Sequence, residues 1–388
     1  MKRSMESWKD YTLGEVADFI NGRAFKTAEW EDNGRLIIRI QDLTGKIEDP
    51  HFTTKTFEPK YLVRKGDLLI SWSATLDAFI WKGDDAWLNQ HIFKVEEKPQ
   101  LISKKFLYYF VKKEIDLIKQ HIHGSTMKHI TKKTFLTIKI RLPSVQVQNE
   151  IVGMLEKAEQ LKQWRKEADK LSEDYINSVF LDMFGDPIKN ERNWTIKNLG
   201  DCCKGKPEYG SGSSSVDFNP SLPRYIRITD VDEYGNLKEN SKVSPSMVEE
   251  KYLLHEGDVL FARSGATVGK TYLHKKKNDP ALFAGYMIRF KPNKEILNPF
   301  YLFYFTKTEY YQGWIRSKKK VVAQPNINAK QYSRELKIPI PYIRLQNRFA
   351  EIVEQVQKIR EYQRKSKSHI YDLLNVLSEK AFAGELKC

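Results

Sequence analysis

Two stripes of apolar residues at helical spacing are the longest pattern in the chain. Apolar side chains recur in steps of three and four from Val147 to Met183 and again from Leu345 to Ala381. Because residues three and four apart share one face of a helix, each stripe predicts an amphipathic helix of almost forty residues, about 55 Å long. FGDP (184–187) and Gly384 are typical of helix ends.

An isolated helix of this length would leave its apolar stripe in water, so we expect the two helices to pair, antiparallel, as a coiled coil. The alternative is two unrelated helices, each packed on its own domain, and the matched lengths of the stripes favour pairing. The residues expected in the seam between the helices, or at an interface with a partner, are Ile151, Ala158, Leu161, Ala168, Ile352, Val356, Ile359 and Leu373.

Shorter, alternating patterns fill the rest of the chain. Residues 8–142 contain the alternating segments LIIRI, DLLISWS and HIFKV, broken by Gly, Asn, Asp and Pro, and a segment with helical spacing at 106–122. Residues 194–340 repeat this order with a looser, Gly- and Ser-rich beginning. We therefore predict the α+β class, with two mixed domains in which strands dominate.

The two strand-rich segments are copies of each other. The matching pairs are LGEVADFINGR (13–23) with LGDCCKGK (199–206), LIIRIQDLTG (36–45) with YIRITDVDEYG (225–235), and KGDLLISWSAT (65–75) with EGDVLFARSGAT (256–267). A period near 190 residues means two domains rather than a solenoid, and we expect a pseudo-twofold arrangement. The predicted segments are 1–142 and 186–340 for the domains, and 143–185 and 341–388 for the helical spacers.

The charge of the chain points to a polyanionic partner. The formal net charge is +15, and most of it lies after residue 185, where 35 Lys and Arg face 23 Asp and Glu, against 30 and 27 before it. Tyrosine (19), phenylalanine (20) and tryptophan (8) accompany this charge. Such a mixture suits a nucleic-acid surface better than a disordered tail, which would be poor in aromatic residues. No apolar run could span a membrane and no leader is recognisable, so we expect a cytoplasmic protein.

Two segments suggest catalysis but fail on spacing. SGATVGKT (264–271) has three residues between its glycines where a phosphate-binding loop needs four, and it leads into an apparent strand rather than a helix. A glycine-rich turn between strands is the better interpretation. LNPFYLFYF (297–305) lacks the second proline of the Asn-Pro-Pro-aromatic loop of adenine methyltransferases, and no glycine-rich loop for S-adenosylmethionine accompanies it. We expect no catalytic residues.

The sequence also offers no metal site. His121, His123 and His129 have no Cys, Asp or Glu between them to complete a ligand set, and three cysteines form neither a zinc spacing nor a disulfide framework. We expect no metal or cofactor bound by this chain.

Candidate DNA contacts lie on loops at matching places in the two copies. Arg, Asn and Gln can read base edges in the major groove, whereas Lys and Ser mainly hold phosphates. The first-copy candidates are Arg39, Gln41, Asp42, Ser71, Ser73, Asn89, Gln90 and His91. Those of the second copy are Arg227, Thr229, Asp230, Arg263, Ser264 and Tyr286, followed by the basic run Lys318, Lys319 and Lys320. Asp42, Asp230, Asp67 and Asp258 can equally be turn caps, which we prefer for Asp67 and Asp258.

The arrangement resembles the specificity subunit of a type I restriction-modification enzyme over essentially the whole chain from Trp8. The motifs that carry the resemblance are LPSVQVQNEIV (142–152), IPYIRLQNRFAEIV (340–353), SGATVGKT, QPNINAK (324–330), FLDMFGDP (180–187) and AFAGEL (381–386). The first copy has GSTMKHITKK (124–133) where QPNINAK would be expected.

The resemblance implies a non-catalytic subunit of a DNA adenine methyltransferase and endonuclease. Each target-recognition domain would read one half of a split, asymmetric site in double-stranded DNA, and the paired helices would set the separation. Two methyltransferase subunits carrying S-adenosylmethionine would hold the helices, and restriction subunits using ATP and Mg²⁺ would join them. The alternatives are an enzyme in its own right, or an orphan or sequence-indifferent DNA-binding scaffold that binds methyltransferase subunits.

Overall fold

The fold is described from a computed structural model, for residues 8–45, 49–72, 75–121, 132–232, 235–265, 267–275, 280–319 and 325–383. It comprises two compact units. Unit 1 is Met1–Trp164 with Ser366–Cys388, and unit 2 is Arg165–Lys365. Each unit therefore contains one strand-rich segment together with part of both long helices.

The described residues of unit 1 form ten strands in three sheets. A four-stranded sheet has the order β2-β9-β6-β7, a second has the order β4-β3-β8-β5, and β1 pairs with β10. The strands are β1 (Lys9–Thr12), β2 (Ala17–Asn21), β3 (Arg35–Ile38), β4 (Phe52–Thr53), β5 (Leu62–Val63), β6 (Leu68–Ser71), β7 (Asp77–Ile80), β8 (Ala86–Leu88), β9 (Ile92–Glu97) and β10 (Lys139–Leu142). The helices are α1 (Leu13–Val16), α2 (Ile40–Leu43), α3 (Lys104–His121), α4 (Lys132–Leu136) and the start of α5 (Val145–Phe184), with 3₁₀ turns at Thr27–Glu29 and Pro59–Tyr61.

Unit 2 repeats this plan. Its four-stranded sheet has the order β12-β19-β16-β17, and β11 pairs with β20, β13 with β15, and β14 with β18. The strands are β11 (Thr195–Asn198), β12 (Glu208–Tyr209), β13 (Ser215–Asp217), β14 (Arg224–Ile226), β15 (Val243–Pro245), β16 (Val259–Ala262), β17 (Thr271–Leu273), β18 (Ala281–Phe283), β19 (Met287–Phe290) and β20 (Lys337–Ile340). The helices are α5 from Arg165 onward, α6 (Pro299–Phe305), α7 (Glu309–Lys319), α8 (Ala329–Glu335) and α9 (Ile343–Ala383) as far as Lys365, with 3₁₀ turns at Leu199–Cys202, Ile228–Asp230, Glu239–Ser241 and Glu250–Tyr252.

Equivalent strand pairs show that the two copies share a fold. The antiparallel pairs β6·β9 and β16·β19 correspond, as do β1·β10 and β11·β20. Each unit also contains one parallel pair at the same place, β3 with β8 and β14 with β18. The α+β class and the duplication predicted from the sequence are confirmed.

The long helices are confirmed as elements of 40 and 41 residues. Within unit 2 they run antiparallel, because Phe180 and Phe184 of α5 pack on Phe349 of α9 with ring centroids 5.5 and 5.4 Å apart, while Glu173 reaches Arg360 further along. Within unit 1, Phe382 near the end of α9 packs on Phe106 of α3. The predicted antiparallel pairing of the two long helices is therefore found within unit 2.

The predicted seam is partly wrong. Ile151, Ala158 and Val356 are buried, and Ala168 and Ile352 are half-buried, but Leu161 is 42%, Ile359 54% and Leu373 50% exposed. The buried face of α5 passes instead through Glu173, Ile176, Phe180 and Phe184. This face contains the buried carboxylate of Glu173, so it does not form a continuous apolar stripe. The apolar spacing therefore predicted the neighbouring stripe as the buried face.

No helix among the described residues has the length and apolar character that a membrane crossing requires.

Candidate nucleic-acid interface

Three predicted loops of unit 1 meet at one end of its sheets. Strands β3 and β8 run parallel, so their carboxyl ends lie side by side, with Arg39 following β3 and Asn89 following β8. The Asn89 amide donates to the carbonyl of Ile38 over 3.3 Å. Trp72 follows β6, and its amide donates to the carbonyl of His91, which precedes β9, over 3.1 Å. The structure thus brings together side chains that lie far apart in the sequence.

The loop after β2 completes this end of unit 1. Trp72 Nε1 donates to Asn21 Oδ1 over 3.3 Å, and the His91 ring packs edge-on against Trp72 with centroids 4.9 Å apart. His91 has a φ of 71°, a left-handed conformation that turns the chain sharply before β9. Only glycine fits at position 22, because a Cβ there would lie 1.9 Å from the Asn89 carbonyl oxygen.

Unit 2 builds the same end with the same backbone hydrogen bonds. The Arg263 amide donates to the Tyr286 carbonyl over 3.0 Å, as Trp72 does to His91. The Ala284 amide donates to the Ile226 carbonyl over 3.0 Å, as Asn89 does to Ile38. Position by position, the equivalents are Asn21 with Tyr209, Gly22 with Gly210, Trp72 with Arg263, Asn89 with Ala284, Gln90 with Gly285, and His91 with Tyr286.

Arg263 is a partly exposed cation at this end of unit 2. Its guanidinium lies over the Tyr209 ring at 4.8 Å, and no carboxylate pairs with it among the residues that the structure describes. Tyr286, whose carbonyl binds the Arg263 amide, is 70% exposed. Ser264 is bridged to Asn326, which belongs to the QPNINAK segment. The planar cation and the exposed ring can therefore both meet a ligand from solution.

Two equivalent tight turns hold the first candidate arginine of each copy. The Asp42 carboxylate accepts from the Arg39 amide over 2.7 Å, and the Asp230 carboxylate accepts from the Arg227 amide over 2.9 Å. Both aspartate side chains are 1% exposed. Burial overrules their assignment as DNA contacts: Asp42 and Asp230 are turn caps. Asp67 and Asp258 also cap turns, as preferred above, by accepting from the amides of Arg64 and His255.

The arginines of these turns are engaged locally. Arg227 donates from Nε and Nη2 to Asp230 over 3.0 and 2.8 Å, and these hydrogen bonds raise the pKa of its guanidinium. Arg39 reaches His51 Nε2 at 3.2 Å and also donates to the Asp49 carbonyl. Both guanidinium groups stay partly exposed, at 19% for Arg39 and 34% for Arg227. Each is thus oriented by its own turn at the edge of the candidate interface.

The prediction that Ser71 contacts DNA is also wrong. It is fully buried, and its Oγ accepts from the Asp77 amide over 3.1 Å, so the hydroxyl is satisfied inside the sheet. The register explains the error: Ser71 pairs with Ile92, and Ala262 pairs with Met287, which makes Ser71 the equivalent of Ala262. Trp72 is the true counterpart of Arg263.

The remaining candidates are scattered around these groups. Gln90 and Thr229 are exposed, and Gln41 is half-buried. Lys318 and Lys319 end α7, where Lys318 pairs with Glu335. Ser73 and Lys320 lie outside the described residues.

Arg23 is an unpredicted cation beside the unit 1 loops. It forms a two-pronged ion pair with Glu29, at 2.9 and 2.7 Å, and lies over the Phe57 ring at 4.2 Å. The Arg23 hydrogen bonds lower the pKa of the Glu29 carboxyl to about 2. The Gln90 amide donates to the Arg23 carbonyl over 2.8 Å, which joins this pair to the predicted loop.

Sequence reasoning missed Asn21, Trp72, Arg23 and Tyr209. The signal for Trp72 was present in the repeat, because Trp72 follows β6 as the candidate Arg263 follows β16. It was obscured because the copies differ in loop length and in every side chain concerned. Asn21, Arg23 and Tyr209 had no such signal, because no candidate was predicted at the end of β2 or β12.

The segments that suggested catalysis have structural roles. SGATVGKT spans the hairpin turn between β16 and β17, where the Gly269 amide donates to Ala262, as the sequence predicted. Asn298 caps α6 by accepting from the Phe300 amide over 2.9 Å. Within the described part of the chain, no group of three or more His, Cys, Asp or Glu could hold a metal ion; His123 and His129 lie outside it.

Comparison with known proteins shows the same protein class in sequence and in fold. The type I restriction modification DNA specificity domain matches residues 5–169 and 191–370. The EcoBI specificity subunit of Escherichia coli is 24% identical over 98% of this chain and 86% of its own length. The MjaVIII specificity subunit of Methanocaldococcus jannaschii is 21% identical over 99% of this chain and 94% of its own.

Solved structures agree on the fold. The type I restriction-modification S subunit from M. genitalium superposes with a TM-score of 0.57 at 14% identity over 98% of both chains. A chain from a structure concerned with complex assembly and conformational transition of the type I R-M system gives 0.56 at 17% identity, again over 98% of both. With the family model matching both copies, the chain belongs to the type I restriction modification DNA specificity family.

Proposed function

We propose that this chain is the recognition subunit of a type I restriction-modification enzyme in which unit 1 and unit 2 each read one half of a bipartite, asymmetric DNA site. One observation carries the proposal. The two units hold the same backbone hydrogen bonds at their loop ends but present different side chains there: Asn21, Trp72 and His91 in one, Tyr209, Arg263 and Tyr286 in the other. A shared scaffold with divergent tips suits two different half-sites.

The chemistry of the tips fits base reading. An unpaired arginine can bind the O6 and N7 of guanine with both prongs of its guanidinium, and an apolar ring can contact a thymine methyl group. The Tyr209 ring restricts Arg263 from one face, which reduces the entropy lost when it binds a base. Lys319 and the other cations near the end of α7 suit phosphates, which give affinity without sequence preference.

The test uses Trp72→Ala and Arg263→Ala in the full chain. Duplexes bound at moderate salt are selected from a random pool and sequenced. We expect each variant to relax one half of the selected sequence, with a loss of discrimination of roughly tenfold to a hundredfold at the affected bases. Trp164→Ala and Arg348→Ala are the matched controls, because both residues are exposed on the long helices.

The outcomes also separate the competing functions. Relaxation of both halves by one variant would contradict modular reading. A wild-type chain that selects no sequence, and whose binding fades steeply with salt, would identify the sequence-indifferent scaffold instead.

The long helices are the proposed docking surface for methyltransferase subunits. Unit 1 exposes Leu161 and Trp164 of α5 together with Leu373 and Val376 of α9, and unit 2 exposes Leu171, Tyr175, Ile359 and Tyr362 of the same helices. Large apolar side chains grouped on a surface mark protein interfaces. One such set in each unit supports two methyltransferase subunits, with the lengths of the helices setting the separation of the half-sites.

We assign the chemistry to these partners. The targeting chain itself would bind no cofactor, S-adenosylmethionine would be carried by the methyltransferase subunits, and ATP with Mg²⁺ by restriction subunits that join the complex. Such an assembly would act in the cytoplasm, on the DNA of the cell.

A further inference from the structure

Each long helix begins with a buried glutamine whose amide is fully hydrogen-bonded. Gln148 is the fourth residue of α5 and Gln346 the fourth of α9, and both are 0% exposed. Gln148 Nε2 donates to the carbonyls of Leu101 and Pro143 over 2.8 and 3.0 Å, while its Oε1 accepts from the Ser103 amide over 2.9 Å. Both amide hydrogens and the oxygen are therefore engaged.

Gln346 makes the same three bonds in unit 2. Its Nε2 donates to the carbonyls of Ile296 and Pro341 over 3.0 and 2.8 Å, and its Oε1 accepts from the Asn298 amide over 2.8 Å. The bonds join backbone groups of equivalent segments although the residues there differ, Leu101 against Ile296 and Ser103 against Asn298. The arrangement thus persists where neighbouring side chains have diverged.

These glutamine amides lie where each long helix joins the body of its unit, so their hydrogen bonds fix the direction in which the helix leaves that body. Only two residues, 143–144 or 341–342, connect the last strand of each strand-rich segment to its long helix. The glutamine binds the proline of that connection and the segment before α3 or α6, so it fixes the first helical turn to the body of its own unit. Apolar neighbours such as Ile151 pack without directional preference, whereas hydrogen bonds require one orientation.

We propose that Gln148 and Gln346 are positioning residues that hold each long helix at one angle to its recognition fold, and so restrict the spacer length that the protein accepts between half-sites. The inference rests on the proposed bipartite function. A change in helix angle would be magnified along a helix of 40 residues, so a small pivot at its first turn would move a distant recognition loop by a large distance.

The test measures binding of the full chain to duplexes that carry both selected half-sites with spacers of varied length. Methionine replaces each glutamine, singly and together, because it matches the length of the side chain but cannot hold the three backbone groups. We expect wild-type affinity to fall roughly tenfold when the spacer is one base pair too long or too short. The variants should reduce this ratio to below about threefold, while the bases selected in each half stay unchanged.

The controls are Gln146→Met on α5 and Gln355→Met on α9, both exposed positions on the same helices. The single variant Gln148→Met serves where the double variant fails to fold, because it leaves the three Gln346 bonds intact. Its spacer profile should be broadened as well.

The outcomes distinguish the inference from the function on which it rests. If the folded variants keep the narrow spacer profile of the wild type, the positioning role is wrong and the bipartite function stands. If they bind every duplex more weakly with an unchanged profile, the glutamines are only structural. If the wild type selects no pair of half-sites, the proposed function itself fails.

Discussion

Single residues decide which loop side chains are free to meet DNA. Asp230 and Arg227 occupy one turn, yet the carboxylate is buried and the guanidinium is held at the surface by it. Arg263, by contrast, lies over the Tyr209 ring and pairs with no carboxylate in the part of the chain that the structure describes. The charge of Arg227 is therefore neutralised by Asp230, whereas the charge of Arg263 is balanced by no such partner among the described residues. Arg263 is the better candidate for base contact.

Replacing Asp230 by Ala should destabilise unit 2. The carboxylate accepts from the Arg227 amide, Nε and Nη2, so its removal takes away the partner of a backbone donor and the counter-charge of a partly buried cation, which keeps, among the described residues, only its bond to the Ser241 carbonyl. We expect the free energy of unfolding to fall by about 2–3 kcal/mol, measured by urea denaturation. Asp217→Ala, at an exposed position of β13, should change it by less than about 0.5 kcal/mol. Equal effects of the two substitutions would refute the capping role.

At the scale of elements, α5 presents one exposed face and one buried face. Tyr175 is 54% exposed, while its neighbour Ile176 is fully buried in the core of unit 2. The buried face also contains Glu173, paired with Arg360 over 2.7 Å. A buried ion pair orients two helices more specifically than apolar contact, although it adds little net stability.

This difference predicts opposite effects of neighbouring substitutions. Ile176→Ala should lower the free energy of unfolding by about 2–5 kcal/mol, because it leaves a cavity in the core. Leu171→Lys and Tyr175→Lys should leave thermal unfolding unchanged and weaken binding of the methyltransferase subunit in a pull-down or titration. Normal complex formation by the double lysine variant would exclude this face as the docking surface. Leu181→Lys, also on an exposed position of α5, is the control.

At the scale of the whole molecule, duplication allows each half to change independently. Both units contain a four-stranded sheet of the same order and a buried glutamine at the start of the long helix. Their loop tips differ: Asn21, Trp72 and His91 of unit 1 are replaced by Tyr209, Arg263 and Tyr286 in unit 2. Their charges differ too: of the formal net charge of +15, unit 1 carries +5 and unit 2 carries +10. Phosphate attraction should therefore be stronger for unit 2 than for unit 1.

Exchanging residues 8–142 for the corresponding segment of a related specificity subunit should change only one half of the selected DNA sequence. These junctions lie before β1 and after β10, so the β1·β10 pair is exchanged as a unit, and Pro143, which accepts from Gln148, is kept. The readout is selection of bound duplexes by the hybrid chain. A hybrid whose two half-sites both change, or neither, would contradict separate reading by the two units.

The sequence alone determined the duplication, the strand-rich α+β copies, the two long helices and the family. These follow from the spacing of apolar residues and from the repeated order of segments, both of which can be read directly along the chain. Even the turn role of SGATVGKT was readable, because residue spacing excluded a phosphate loop.

Only the tertiary structure decided which face of each helix is buried and which loop residues are exposed. Leu161, Ile359 and Leu373 have the right spacing for a seam, but Glu173 and Arg360 occupy the buried face as an ion pair, a possibility that hydrophobicity cannot register. Ser71 and Trp72 are adjacent in the chain, and strand pairing alone turns one into the sheet and places the other beside His91. Burial and pairing depend on partners distant in sequence, and for that reason no local pattern contains them.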